Sequence, residues 1–328
     1  MPDLEPVTTK FIEVGEHEKG FAKHFEAHIA PLLNEIETKR LATYATFKSH
    51  IIRAILIWIS VVGLAFVGVN LGFFDSEMLS TVAVGSIGAM GWFIYMPIRE
   101  YKNDVKSKFM PVICSFYGDI SYSLTGTSHL ETKYAGQIFP SYNRRESEDF
   151  ISGEYKKVTI KLHEATLRKK SGKVIVTVFH GLVLELDFPK TFKGKTLLCK
   201  DEKYFGNLIK GKAFHGLQRI ELEDPEFEAM FQVFSSDQVE ARFVLTTAFM
   251  ERLLALARLR SPNGASIVQC VFEENQMVIA IPTEKDLFEP GSIRKSALLV
   301  DDIHIFLSEV KEIFELIDLL KLTRNPNT

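Results

Sequence analysis

Two stretches of 21 residues without a formal charge, 54–74 and 78–98, dominate the hydropathy pattern of this 328-residue chain. A helix needs about 20 apolar residues to cross the roughly 30 Å of hydrocarbon in a bilayer. Only Asp75, Ser76 and Glu77 separate the two stretches, so the pattern predicts a transmembrane hairpin. Backbone polar groups in lipid must be satisfied internally, which makes both spans helices. The first stretch is too long for the apolar part of a signal peptide and follows a long charged arm, so it reads as an uncleaved anchor. Lys48 and Arg53 precede the hairpin, and Arg99, Lys102, Lys106 and Lys108 follow it, whereas the connecting loop carries Asp75 and Glu77. The positive-inside rule then puts both termini in the cytoplasm, with Trp58, Trp92 and Tyr95 toward that interface.

Upstream, Phe21, Phe25, Ile29, Leu32 and Ile36 recur at helical spacing and form an apolar stripe on the charged segment 16–49. Pro31 within it either opens a second helix or kinks a single one. Downstream, 99–116 continues as a helix, and 118–143 is turn-rich. Val158, Ile160 and Leu162 alternate with polar residues; 170–173 interrupts the run and 174–188 resumes it, which predicts a hairpin with a basic tip. Further strands are expected at 196–199, 217–222 and 232–234, and a second hairpin at 267–272 and 276–281. Residues 238–245 suit a strand or a helix. Helices are expected from Thr246 or Thr247 to Arg258, with a stop at 261–264, and over 301–322. The fold class is α+β: an amphipathic arm (1–50), the hairpin (51–98), and a mainly antiparallel cytoplasmic region (99–328) with packing helices. That region divides into candidate subdomains at 117–220 and 221–328.

The net charge of −3 favours no partner, but its distribution is uneven. Residues 151–220 hold 15 Lys/Arg against 6 Asp/Glu, and residues 221–328 hold 10 against 19. The halves either pack on each other or turn the basic one toward anionic lipid. Arg168, Lys169, Lys170 and Lys173 at the hairpin tip are the candidate lipid-facing residues. Few aromatics interleave with them, so nucleic acid is not expected as a partner. Cys114, Cys199 and Cys270 lie far apart without a CxxC pair, as reduced, buried thiols do.

In the spans, Gly68 and Gly72 form a GxxxG, and Gly85 and Ala89 are also four apart. Small residues of this kind let helices approach, either within the hairpin or between copies. The spans hold no acidic or basic residue at depth, which disfavours a pump or transporter.

Several motifs recur together: Glu148-Asp149-Phe150-Ile151-Ser152-Gly153, Phe179-His180-Gly181-Leu182, Leu222-Glu223-Asp224-Pro225-Glu226-Phe227-Glu228, Ser235-Ser236-Asp237-Gln238-Val239-Glu240-Ala241-Arg242, Met250-Glu251-Arg252-Leu253 and Leu287-Phe288-Glu289-Pro290. With the two spans before them, they resemble the bacterial membrane family DUF3137, over most of the chain. The resemblance implies a bacterial inner-membrane location and no reaction.

Chemistry is sparse. No P-loop, dinucleotide-binding glycine pattern or HExxH occurs. His180 and Asp187 are an odd number of residues apart, which puts them on opposite faces of a strand, and His180 reads as a turn or bulge residue beside Gly181. His24 and His28 have a metal-compatible spacing without a third ligand, and with His17 read as a solvated edge. The acidic run from Glu221 to Glu228 lacks the order of a calcium loop. The expectation is a membrane-tethered interaction or sensor module without a cofactor or metal, engaging a protein partner or a second copy. The alternative is an enzyme using Glu223, Asp224, Asp237 and Glu240.

Overall fold

A computed structural model describes residues 10–73, 75–188, 191–200, 214–260, 268–296 and 300–320. The chain forms two compact units, one of residues 1–112 and 289–305, the other of 113–288 and 306–328.

The first unit is helical: α1 (Phe21–His28), α2 (Ala30–Asn70) and most of α3 (Ser76–Phe116). Pro31 sits in the first turn of α2, where its missing N–H costs nothing, so the arm holds two helices. The break at Ile29 resets the helical phase. Phe21, Phe25, Ile29, Leu33 and Ile36 are buried, and Leu33 takes the place expected for Leu32. Phe11 packs against Phe21, with ring centroids 5.1 Å apart, and stacks on His304 at 4.3 Å.

α2 runs without interruption from the arm into the first apolar stretch, about 60 Å in all. It ends at Asn70, so residues 71–73 of the expected span fall outside it. α3 is likewise continuous through the second stretch and beyond, with Pro97 and Pro111 inside it. The two run antiparallel, joined by Lys108–Glu35 at 2.6 Å, Lys39–Asp104 at 2.8 Å, His50 stacked on Phe93 at 4.2 Å, and Trp58 Nε1–H donating to the Ala83 carbonyl. Both helices are long and apolar enough to cross a membrane.

Among the described residues, the second unit is built on a nine-stranded sheet, antiparallel at every pairing. Its strands are β1 (Ile120–Ser123), β2 (Arg144–Tyr155), β3 (Val158–Ser171), β4 (Val174–Asp187), β5 (Thr196–Lys200), β6 (Gln218–Ile220), β7 (Phe231–Ser235), β8 (Gln269–Glu273) and β9 (Gln276–Pro282). The spatial order is β1-β2-β3-β4-β9-β8-β5-β7-β6. The candidate subdomains 117–220 and 221–328 therefore share one sheet, because β4 pairs with β9 and β5 with both β7 and β8. Lys195 and Lys133 meet Glu273 across that division.

One face of the sheet holds Leu167, Phe179, Val183, Leu197, Val271 and Val278. It is covered by Tyr134, Ile138 and Phe139, which follow the short helix α4 (Leu130–Lys133). The other face presents Ile160, Leu162, Leu182 and Leu184. On that side Tyr155 stacks on Phe314 of α8 (Asp301–Leu320), and Phe272 packs against Phe249 of α7 (Thr247–Arg260). α5 (Pro225–Met230) forms within the acidic run, and 238–245 resolves as α6 (Gln238–Val244). The expected stop at 261–264 lies outside the described residues. Cys114, Cys199 and Cys270 are buried free thiols, and burial pushes Cys114 and Cys199 up to about 12.

Gly181 marks a close backbone approach in the β4–β9 ladder. A Cβ there would lie 2.1 Å from the Ile281 carbonyl oxygen, at φ +155°. Gly172, in the β3–β4 turn at φ +61°, has nothing within 4 Å of such a Cβ. Gly172→Ala should therefore cost only the left-handed backbone penalty, about 1 kcal/mol. Gly181→Ala must push the paired strands apart and should cost about 3 kcal/mol or more. Thermal melting of the two variants checks this; equal costs would mean that β4 and β9 are not so closely paired.

Candidate functional site

The β2–β3–β4 ladder brings ionisable groups to both faces of the sheet. Glu131 and His163 are buried on the α4 side, at 0% and 4% exposure. His163 Nε2 hydrogen-bonds to a Glu131 carboxylate oxygen, and its ring stacks on Phe150 with centroids 4.9 Å apart. Arg145 Nη1 donates to the second Glu131 oxygen at 3.2 Å and to the Ser128 carbonyl at 2.7 Å. Burial works to raise the Glu131 carboxyl, but His163 and Arg145 hold it below its ordinary value.

Next to this pair lies a cleft of about 390 Å³, lined by Ser128, His129, Phe150, Ser152, Lys161, His163 and Glu185. Lys161 and Glu185 bridge at 2.8 Å across it. Two of its three hydroxyls are engaged elsewhere: Ser128 Oγ accepts from Leu130 N–H, and Ser152 Oγ meets Ser121 Oγ, while Thr127 is the third. Among the described residues, no lining hydroxyl is hydrogen-bonded to His163, so the cleft lacks a paired nucleophile and base.

On the opposite face, Glu164, His180 and Asp286 converge within 4.8 Å. His180 is a ladder residue facing Thr166, not the expected turn or bulge residue. Burial pushes the Glu164 carboxyl up to about 8; Asp149 and Asp286 add to this, and Leu287 N–H opposes it. Asp149 itself is buried at φ +57°, beside the irregularity between Glu148 and Ile151, and accepts a hydrogen bond from Tyr122. One signal for Glu164 is present in the sequence. It falls in phase with Val158, Ile160 and Leu162, so a carboxylate stands where the alternation calls for an apolar residue. Glu131, Arg145 and Asp286 give no such signal.

Three of the four acidic candidates hold backbone. Asp224 caps α5 by accepting from Glu226 and Phe227 N–H, Asp237 caps α6 through Val239 and Glu240 N–H, and Glu240 accepts from Lys193 and Gly194 N–H. Glu223 is exposed at a separate cleft of about 250 Å³ with Arg242 and Thr246.

Lys169, Lys170 and Lys173 are exposed at the tip of the β3–β4 hairpin, while Arg168 pairs with Glu146 at 2.7 Å. Val174, Ile175 and Val176 are exposed beside them. Gly68 is buried, and Gly72 lies past the end of α2 in a left-handed conformation, so the pair is not a helical GxxxG face. Gly85 and Ala89 are exposed on α3. In the first unit, His24 Nε2 reaches the Val112 carbonyl at 2.9 Å and His28 is exposed.

A carboxyl whose folded value is depressed stabilises the fold above the unfolded value and loses that contribution as pH falls through the folded one. Glu131→Gln leaves His163 and Arg145 without their buried partner and should cost about 3 kcal/mol at pH 7. The gap from the unsubstituted protein should close as pH falls below the ordinary glutamate value of 4.5. Urea unfolding across a pH series measures it, and a gap independent of pH would contradict the assigned ion pair.

Known proteins offer limited comparison. No curated protein matches the chain. The crystal structure of the mycobacterial trehalose monomycolate transport factor A, TtfA, is similar over 68% of this chain and 96% of that one, at 12% identity and a TM-score of 0.31. A likeness of that size does not establish a shared fold. Residues 177–322, which include most of β4, all of β5 to β9, His180 and Asp286, match the model of DUF3137, described as a protein of unknown function. The match runs from Thr177, near the start of β4, through α8.

Proposed function

We propose that the protein is a membrane-anchored interaction module of the bacterial inner membrane. α2 and α3 cross the bilayer as a hairpin, with both termini and the sheet unit in the cytoplasm. One observation carries this reading: the most apolar 18-residue windows of α2 and α3 are only 11% and 0% buried. Ile55, Leu56, Ile59, Leu64, Phe66, Val84 and Ile87 are among the exposed side chains. Contiguous apolar surface of this extent is sustained in lipid, not in water. Arg53 and Arg99 at one end of the hairpin, against Asp75 and Glu77 at the other, support the orientation.

The sheet unit carries the binding surfaces. The cleft beside His163 offers both charges and an aromatic wall, and the β3–β4 tip joins three lysines to three exposed aliphatic residues. That combination suits an anionic membrane surface, where each nearby basic residue contributes on the order of 1 kcal/mol and inserted aliphatic groups add to it. Gly85 and Ala89 leave an open α3 surface for a partner helix or a second copy. An acidic active site at Glu223, Asp224, Asp237 and Glu240 is disfavoured, because three of those carboxylates are committed to backbone N–H groups.

Two measurements test this. The full chain should resist alkaline carbonate extraction, and a periplasm-dependent reporter fused after Thr328 should be inactive; an active reporter overturns the orientation. In nanodiscs, hydrogen exchange over residues 168–176 should slow with anionic lipid and recover in high salt. Changing Arg168, Lys169, Lys170 and Lys173 to Gln should abolish the slowing. Equal exchange in anionic and neutral nanodiscs would remove the lipid-facing role.

A further inference from the structure

We propose that Glu164, His180 and Asp286 form a binding site for a divalent transition cation, with Zn²⁺ the best fit. The inference is independent of the membrane reading. Each residue comes from a different segment: Glu164 from β3, His180 from β4, and Asp286 from the loop that follows β9.

The separations are those of ligands around a common centre. His180 Nε2 lies 3.1 Å from Asp286 Oδ1 and 3.8 Å from Glu164 Oε1. Bonds of about 2.0–2.1 Å in tetrahedral geometry place ligand atoms roughly 3.3 Å apart, so small side-chain shifts bring all three onto one ion. The directions point the same way. His180 Nε2 is closed to solvent and makes no hydrogen bond, although Asp286 Oδ1 is within hydrogen-bonding distance. Ligands aim at the shared ion and not at one another, which gives this combination of short distance and missing alignment.

Two further features match a metal site. His180 Nδ1 lies 3.0 Å from Thr166 Oγ1, the kind of outer contact that fixes a ligating imidazole with its other nitrogen inward. Glu164 is 96% shielded from solvent, and Leu287 N–H donates to its Oε2, while Oε1, the atom nearest His180, accepts no hydrogen bond among the described residues. Imidazole with two carboxylates is a zinc donor set, and three protein ligands leave a fourth position for water or a ligand. Asp286 is 71% exposed, so the ion would clasp the 283–288 loop onto the sheet and be reached from solvent on that side.

The test uses the full chain in detergent, stripped with a chelator, desalted and titrated calorimetrically with ZnCl₂ alone. One Zn²⁺ per chain should bind saturably and raise the melting temperature. Asp286→Ala, an exposed substitution, should weaken binding and remove the thermal gain with the unliganded fold intact. Thr166→Val, which changes no ligand, should weaken binding about tenfold. A His24→Ala/His28→Ala double variant should bind as the unsubstituted chain does. Absence of saturable binding overturns the proposal. So does binding that survives both Asp286→Ala and Thr166→Val, or binding lost with His24 and His28.

Discussion

The β3–β4 ladder is the constraint on which the sheet unit depends. Its register runs from Ile160 opposite Leu186 to Ser171 opposite Val174. Side chains alternate between faces with a period of two, so a slip of one residue would send every inward group outward. In the native register Glu164, Thr166 and His180 share one face, while His163, Leu167, Phe179 and Val183 share the other. Both ionisable clusters follow from that single alignment. The shift between Leu167 and Arg168 marks where the ladder leaves the core. Beyond it the hairpin continues with lysines and aliphatic residues open to solvent.

Buried charge is the second organising feature, and the fold satisfies it by fastening loops. Glu131 is shared by His163 and Arg145. Glu164 accepts from Leu287 N–H, and Glu309 accepts from Phe288 N–H while bridging to Lys285. In the helical unit, Arg40 holds Glu37 and the Ile293 carbonyl, and Glu289 takes both Lys102 and Lys106. An unpartnered buried charge is far more costly than a paired one, and Glu164 and Glu309 in addition pin the irregular backbone at Leu287 and Phe288. The acidic excess of the C-terminal half is thus largely structural. Asp224, Asp237 and Glu240 act on backbone N–H groups for the same reason.

The two units bury apolar surface by different rules. The sheet unit hides Phe, Val, Ile and Leu between strands and helices. The long helices leave theirs exposed, and the sparse contacts between α2 and α3, such as His50 on Phe93 and Trp58 to the Ala83 carbonyl, join the hairpin without covering it. Helices satisfy their own backbone wherever they stand, so their side chains are free to meet lipid.

By itself the sequence determined the features that are local in the chain. Uncharged length marked both apolar helices, alternation over 158–162 and the β-rich run after the basic turn marked β3 and β4, Thr246 and Thr247 marked the start of α7, and the pattern over 301–322 marked α8. Each is a repeat read within one or two turns or a few strand residues. Tertiary structure alone decided what depends on distant partners. β2 has no clean alternation of its own and is held by pairing with both β1 and β3. α5 is six residues long and exists through its Asp224 cap and the burial of Phe227. The stripe of the arm shifted from Leu32 to Leu33 because a new helix begins at Ala30. The Glu164–His180–Asp286 cluster spans more than a hundred residues. No spacing rule reaches that far, and only the order of strands in the sheet brings those three side chains together.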